Sequence, residues 1–304
     1  MTKLKFGVDF DYYLEFKTLK ELVIDCEQLG YDSAWIMDHL IWHGGGDVLE
    51  CLTTLSALAT VTSRIRLGSM VLCNSYRNPA LLAKMAATLD IISGGRLEFG
   101  IGAGWKEDEY KAYGYEFPSA ATRIKQLREA LIIITQMWTK EKASFKGTYY
   151  SIRDAVCYPK PIQRPHPPIW VGGGGEKILK VTAELADGFN TVFTTPGECR
   201  TKLQILREYC NAMNRDFNEI ERSWVGEYLL CSTPEEMASK MSALGSNEVT
   251  SKDFELRRIV GTPRQCTEKI EEYVGAGITY LIVISRRFHE DLKFFAREIV
   301  PSFR

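Results

Sequence analysis

LEFGIGAGWKEDEY, residues 97–110, carries an apolar run (Leu97, Phe99, Ile101) through Gly102, Ala103 and Gly104 into a charged segment beginning at Trp105. A buried strand that sheds its Cβ atoms at its C-terminal end lets a bulky group approach the backbone there. PPIWVGGGGEK, residues 167–177, repeats the arrangement. Two such strand ends predict one site with two walls.

Working outward, strand-like and helix-like segments alternate along the chain. Residues 5–10, 33–37, 65–72, 97–102, 169–171, 188–192, 221–231 and 280–285 read as strands. Between them fall helical stripes at 19–30, 49–61, 79–92 and 122–138, and further helices behind Thr195, Thr233 and Thr262. Each of these threonines precedes a proline, with Glu or Gln three residues on, the pattern of a capping box. Strands alternating with helices mean a parallel sheet, and eight repeats favour closure. The predicted fold class is α/β, a TIM (β/α)8 barrel formed by residues 1–304 as one domain.

Two stretches break the alternation. Residues 144–168 hold five prolines and the pair Tyr149, Tyr150 with no helical period, which predicts a hairpin or loop inserted after the fourth helix. Long insertions of this kind are usually lids or binding loops. Residues 245–260 are polar and read as a second loop insertion.

Composition narrows the function classes. A net charge of −1 supplies no global field for nucleic acid or an anionic membrane. The N-terminus lacks a signal-peptide core and no apolar run spans a bilayer, so a cytoplasmic protein is expected. Eight scattered cysteines without a C-x-x-C pair read as reduced core thiols. G-x-S-x-G, H-E-x-x-H, P-loop and EF-hand patterns are absent, and the histidines at 39, 43, 166 and 289 lack metal-ligand spacing.

Active sites of such barrels lie at the C-terminal strand ends. Those ends offer Asp9 and Asp11, Asp38 and His39, Cys73 and Asn74, then the two glycine runs. Few catalytic side chains beside bare backbone suit a bound cofactor that carries the reaction. Gly172, Gly173, Gly174 and Gly175 read either as a flexible turn or as a phosphate site at a helix N-terminus, and the second is favoured. Asp38 and His39 read as a core pair or as functional groups, and their position at a strand end favours function. Glu107, Asp108 and Glu109 form an acidic first helical turn, with Glu107 alone expected to face the site. Trp105, Tyr149 and Tyr150 are expected to pack the excursion, and Cys51 and Cys73 the core.

DSAWIMDHL, SRIRLGSMVLCNSYRNPALLAK, GGRLEFGIGAGWKEDEYKAYGYEFP, YPKPIQRPHPPIWVGGGG and ELADGFN together resemble the luciferase-like monooxygenase superfamily, and within it the branch that uses the deazaflavin coenzyme F420. The resemblance implies an oxidoreductase passing hydride between C5 of F420 and a small-molecule organic substrate. A reduced-FMN monooxygenase and a non-catalytic flavin-binding paralogue are the alternatives. It places His39 over the deazaflavin ring as acid/base group, with Glu107 as second candidate and Asp38 beside it. It also implies a non-proline cis peptide at Met70 and Val71 backing the ring. Gly102, Ala103 and Gly104 would line the ring and ribityl chain, and the glycines at 172–175 would hold the phosphate. Glu50 resembles a glutamate at the site's edge. The resemblance implies a homodimer; the faces Leu55, Ala59, Leu82, Ala83 and Ala86 suit that pairing and packing on the barrel equally.

Overall fold

The computed structural model describes residues 3–10, 14–41, 48–243, 256–284 and 289–304. In chain order the first half holds β1 (Lys5–Phe10), α1 (Phe16–Leu29), β2 (Ser33–Ile36), α2 (Cys51–Ala59), β3 (Arg66–Ser69), β4 (Leu72–Cys73), α3 (Pro79–Ile92), β5 (Leu97–Gly102), α4 (Glu107–Ala112) and α5 (Ala120–Thr139). The second half continues with β6 (Ala143–Lys146), β7 (Ser151–Ala155), β8 (Ile169–Gly172), α6 (Glu176–Leu185), β9 (Gly188–Val192), α7 (Pro196–Ala212), β10 (Glu221–Leu230), α8 (Pro234–Ala243), β11 (Ile259–Gly261), α9 (Pro263–Gly275), β12 (Tyr280–Ile284) and α10 (His289–Glu298).

Local chemistry sets the helix boundaries. Asn78 caps α3 by accepting from the amides of Ala80 (2.9 Å) and Leu81 (3.3 Å), with Pro79 at the first position. α1 ends at Gly30 with φ 81°, a left-handed cap. At Thr195 both arms of the capping box form. At Thr233 the hydroxyl accepts from the Glu236 amide at 3.2 Å, and at Thr262 the Gln265 side chain accepts from the Thr262 amide at 2.9 Å.

Eight parallel strands close into a ring, β1–β2–β3–β5–β8–β9–β10–β12 and back to β1. Gly7 lies opposite Ser33, and Lys5 opposite Tyr280, so the first and last strands of the barrel are neighbours. The strand expected at 65–72 is divided: the Met70–Val71 peptide is cis and separates β3 from β4. Trp35, Trp170 and Tyr280 fill the barrel interior, Trp35 meeting Trp170 edge-on at 5.5 Å. Their polar tips are satisfied, since Trp35 Nε1 and Tyr280 Oη donate to Ser33 Oγ and Trp170 Nε1 donates to Glu98. Each such buried aromatic contributes on the order of 1.5–3 kcal/mol by leaving water.

The excursion differs from a lid. β6 and β7 form an antiparallel hairpin, and the Glu129 carboxylate on α5 accepts from the amides of Thr148, Tyr149 and Tyr150 at 2.8, 2.9 and 3.1 Å. Asp90 on α3 then accepts from the amides of Ile162 and Gln163 at 2.7 and 3.0 Å, and Gln163 Nε2 donates to the Leu97 carbonyl at the start of β5. The segment therefore braces the outside of the barrel; its Tyr150 hydroxyl accepts from Asn74 Nδ2 at 3.2 Å just behind β4, but none of its residues lines the cavity described below. Of the insertion expected at 245–260, residues 245–255 lie outside the described residues, while β11 pairs with the last turn of β10, Tyr228 opposite Ile259. Leu55, Ala59, Leu82, Ala83 and Ala86 are all buried within the protomer.

Candidate active site

A cavity of about 590 Å³ opens at the C-terminal ends of the strands, within the range of small-molecule and cofactor sites. One wall is the bare backbone of Gly102, Ala103 and Gly104 behind β5, and another is Gly172, Gly173 and Gly175 around the end of β8. Met70 and Val71 stand between them as a floor. A Cβ built at Gly102 or Gly172 would lie 2.9 or 2.8 Å from Val71. Both positions therefore require glycine for close packing, which keeps the slot open above Val71. Gly175 is the N-cap of α6 and no side chain caps that helix, so its first amides keep their donors.

His39 and Asp38 follow β2 and both line the cavity. Asp38 accepts from Arg77 Nη1 and Nη2 at 2.8 and 2.7 Å and from the Cys73 amide at 2.8 Å. Arg77 also pairs with Glu50 at 2.5 Å, while Glu50 caps α2 through the amides of Leu52 and Thr53. Burial disfavours the Arg77 charge, but Asp38 and Glu50 outweigh it and raise its pKa. Asp38 and Glu50 thus anchor the end of β2 and the start of α2 through one guanidinium.

His39 Nδ1 lies 3.0 and 3.1 Å from the two carboxylate oxygens of Glu109. The same carboxylate accepts from Tyr76 Oη at 2.7 Å and from the Ile41 amide at 3.1 Å, with Lys106 Nζ 3.5 Å away. Glu109 is 1% exposed and Lys106 5%, so the ion pair and the imidazole form one desolvated cluster. Burial lowers the His39 pKa below its ordinary value, with Glu109 pulling the other way. Burial and the Glu109 carboxylate both push the Tyr76 phenol up, keeping it a donor. Trp105 meets the His39 ring edge-on at 5.8 Å.

The profile of luciferase-like monooxygenases matches residues 2–248. The chain belongs to this family. An F420-dependent glucose-6-phosphate dehydrogenase of Kineococcus radiotolerans is 31% identical over 322 residues, covering 94% of this chain and 93% of its own. An FMNH(2)-dependent dimethylsulfone monooxygenase of Pseudomonas putida is 25% identical and covers 86% of this chain and 80% of its own. A solved F420-dependent secondary alcohol dehydrogenase, in complex with an F420-acetone adduct, shares the fold with TM-score 0.88 at 21% identity, over 99% of both chains.

Within this member of the luciferase-like family, three expected positions need correction. Glu107 points outward: its side chain is 53% exposed and pairs with Lys111 at 2.8 Å. Its place at the cavity is taken by Glu109, one of the three acids of the same helical turn. Gly174 is absent from the cavity lining, and its carbonyl accepts from Lys202 Nζ at 2.7 Å. Trp105 is a wall of the cavity, 63% exposed, and does not pack on the excursion. Asp11 and His43 lie outside the described residues, as does the side chain of His289. His166 sits in the excursion with Nδ1 2.9 Å from the Pro167 carbonyl. Among the described residues no cluster of His, Cys, Asp or Glu could hold a metal ion, and no helix is long and apolar enough to cross a membrane.

Among the lining residues that sequence reading did not assign to the site are Arg123, Phe193 and Asn190. Lys106 and Arg123 support the β5 wall, Arg123 Nε donating to the Gly104 carbonyl at 3.2 Å. Phe193 adopts φ 48° and faces the cavity beside Val192. Asn190 on β9 is fully buried; its Oδ1 accepts from Ser223 Oγ, while its Nδ2 has no hydrogen-bond partner among the described residues. A buried amide donor left unpaired beside a glycine-walled slot fits a planar ligand with acceptor atoms, as a deazaflavin or flavin has.

Proposed function

We propose that this protein is an F420-dependent oxidoreductase acting on a small organic substrate. The observation that carries the reading is the slot between the two glycine-walled strand ends, with Asn190 Nδ2 unpaired in it and His39 at its edge. The F420-dependent relatives favour the deazaflavin over FMN. When bound, a deazaflavin accepts or supplies hydride at C5. Gly102, Ala103, Gly104, Met70 and Val71 would enclose the ring, Asp38 would keep the end of β2 in place, and the backbone around Gly172, Gly173 and Gly175, with the uncapped first amides of α6, would face the phosphate. His39 would take the hydroxyl proton of an alcohol substrate as its carbon loses hydride and becomes a carbonyl, and would return that proton in the reverse direction. The protein's part is orientation, exclusion of water and one proton transfer.

Anaerobic titration tests this reading. F420 is expected to bind and FMN to bind more weakly, and bound F420 should bleach with either glucose 6-phosphate or 2-propanol. Tight FMN binding without F420 binding, with oxygen uptake on adding FMNH2, would establish the monooxygenase alternative. All eight cysteines are buried thiols outside any disulfide, in keeping with a reducing, cytoplasmic setting. A homodimer is proposed as well, through the exposed Leu81 and Ile92 of α3 and the neighbouring Tyr158 and Ile162. Light scattering on Leu81→Glu tests that surface, a persisting dimer excluding it.

A further inference from the structure

We infer that Glu109 is a positioning residue that fixes the tautomer of His39 and so makes Nε2 its basic atom. The inference deepens the reading of His39 as the acid/base group and rests on it.

Among the described residues, the other polar groups that bond or pair with the Glu109 carboxylate are all donors. Tyr76 Oη, the Ile41 amide and the Lys106 ammonium have no other role toward an ionised carboxylate. The carboxylate can therefore only accept from His39, and both of its oxygens lie within 3.1 Å of Nδ1. A proton on Nδ1 satisfies this contact; a bare Nδ1 would set a lone pair against two carboxylate oxygens. In a neutral ring the other nitrogen, Nε2, then carries the lone pair. The geometry is rigid, because Glu109 is 1% exposed and is held from α4, from the segment after β2 and from the turn before α3. Removing Glu109 would free the ring to choose either tautomer, as the orienting acid does for histidine bases in general.

The charged groups facing His39 act in opposite directions. Glu109 and Asp38, the latter already paired with Arg77, favour its protonated form, and Lys106 disfavours it. Two substitutions therefore have opposite signs: Glu109→Gln should lower the His39 pKa further, and Lys106→Met should raise it.

The test is long-range ¹⁵N–¹H correlation on the cofactor-free, histidine-labelled protein, with the His39 signals assigned by their loss in His39→Asn. In the wild type the Nδ1–H tautomer is expected. In Glu109→Ala that preference should be lost, and the pH titrations of Glu109→Gln and Lys106→Met should shift His39 in the two directions given. An Nε2–H ring in the wild type overturns the inference without any variant needing to fold, and so does a tautomer preference that survives Glu109→Ala. Because no cofactor is present, failure of F420 to bind would count against the proposed function and leave this result standing. An Nε2–H ring in a protein that binds F420 would do the reverse.

Discussion

Gly104 holds φ 77°, and a Cβ there would lie 1.9 Å from the Tyr110 hydroxyl and 2.7 Å from Cys73 Sγ. Tyr110 is fully buried and cannot retreat, so Gly104→Ala is expected to cost about 2 kcal/mol or more and to abolish F420 binding. Chemical unfolding with a parallel cofactor titration checks both. His39→Asn is expected to keep the fold and the slot. Its cofactor affinity should persist while turnover falls by roughly 10²–10⁴-fold, the share of a general acid/base group. In the proposed reaction, alcohol oxidation needs neutral His39. Since burial places its pKa below the usual histidine value, the acid limb of kcat/KM should fall below about pH 6.5. Sequence placed a carboxylate in this turn but chose Glu107, where the structure puts Glu109 at the cavity. Glu107 lies about 60° to one side of Tyr110 on a helical wheel and Glu109 about 100° to the other. Only the fold, which brings Tyr76 and His39 against Glu109, decides between them.

Elements were the most legible level. Alternating apolar segments located all eight barrel strands, and the three threonine-proline helix starts read directly because capping is a local interaction. The excursion was read as a hairpin or loop of the kind that serves as a lid or binding loop; it is a hairpin, and none of its residues lines the cavity. Proline spacing reports local conformation and says nothing about which end of the barrel a segment meets. That is set by Asp90 and Glu129, acids on α3 and α5 that hold its backbone amides. Glu129→Ala is expected to release the hairpin turn while leaving the cavity alone. Amide exchange at Thr148, Tyr149 and Tyr150 should accelerate, with F420 affinity unchanged. A loss of cofactor binding in this variant would restore the excursion as part of the site.

For the whole molecule, acid stability has a specific contributor. Glu27 on α1 accepts from the amides of Ser63, Arg64 and Ile65 at 2.9, 2.6 and 2.9 Å. Burial opposes its ionisation, but these donors and the Ser63 hydroxyl outweigh burial and hold its pKa at about 2. A depressed folded pKa gives stability that is fully present above the unfolded value, near 4.5, and is lost as pH falls toward 2. Glu27→Gln should therefore lower stability by the order of 1 kcal/mol at neutral pH and flatten the acid slope between those values, as denaturant melts across pH would record.

The pairing of β12 with β1 also bears on how the protein is made. Asp9 from the first strand and Ile284 from the last both line the cavity. On the ribosome no nascent chain has a binding site until its final strand clears the exit tunnel. Until then β1 and β10 stand as open strand edges, the kind of surface that chaperones shield. The ligand therefore cannot template the early steps of folding: capture of a cofactor waits until β12 has joined β1 and β10.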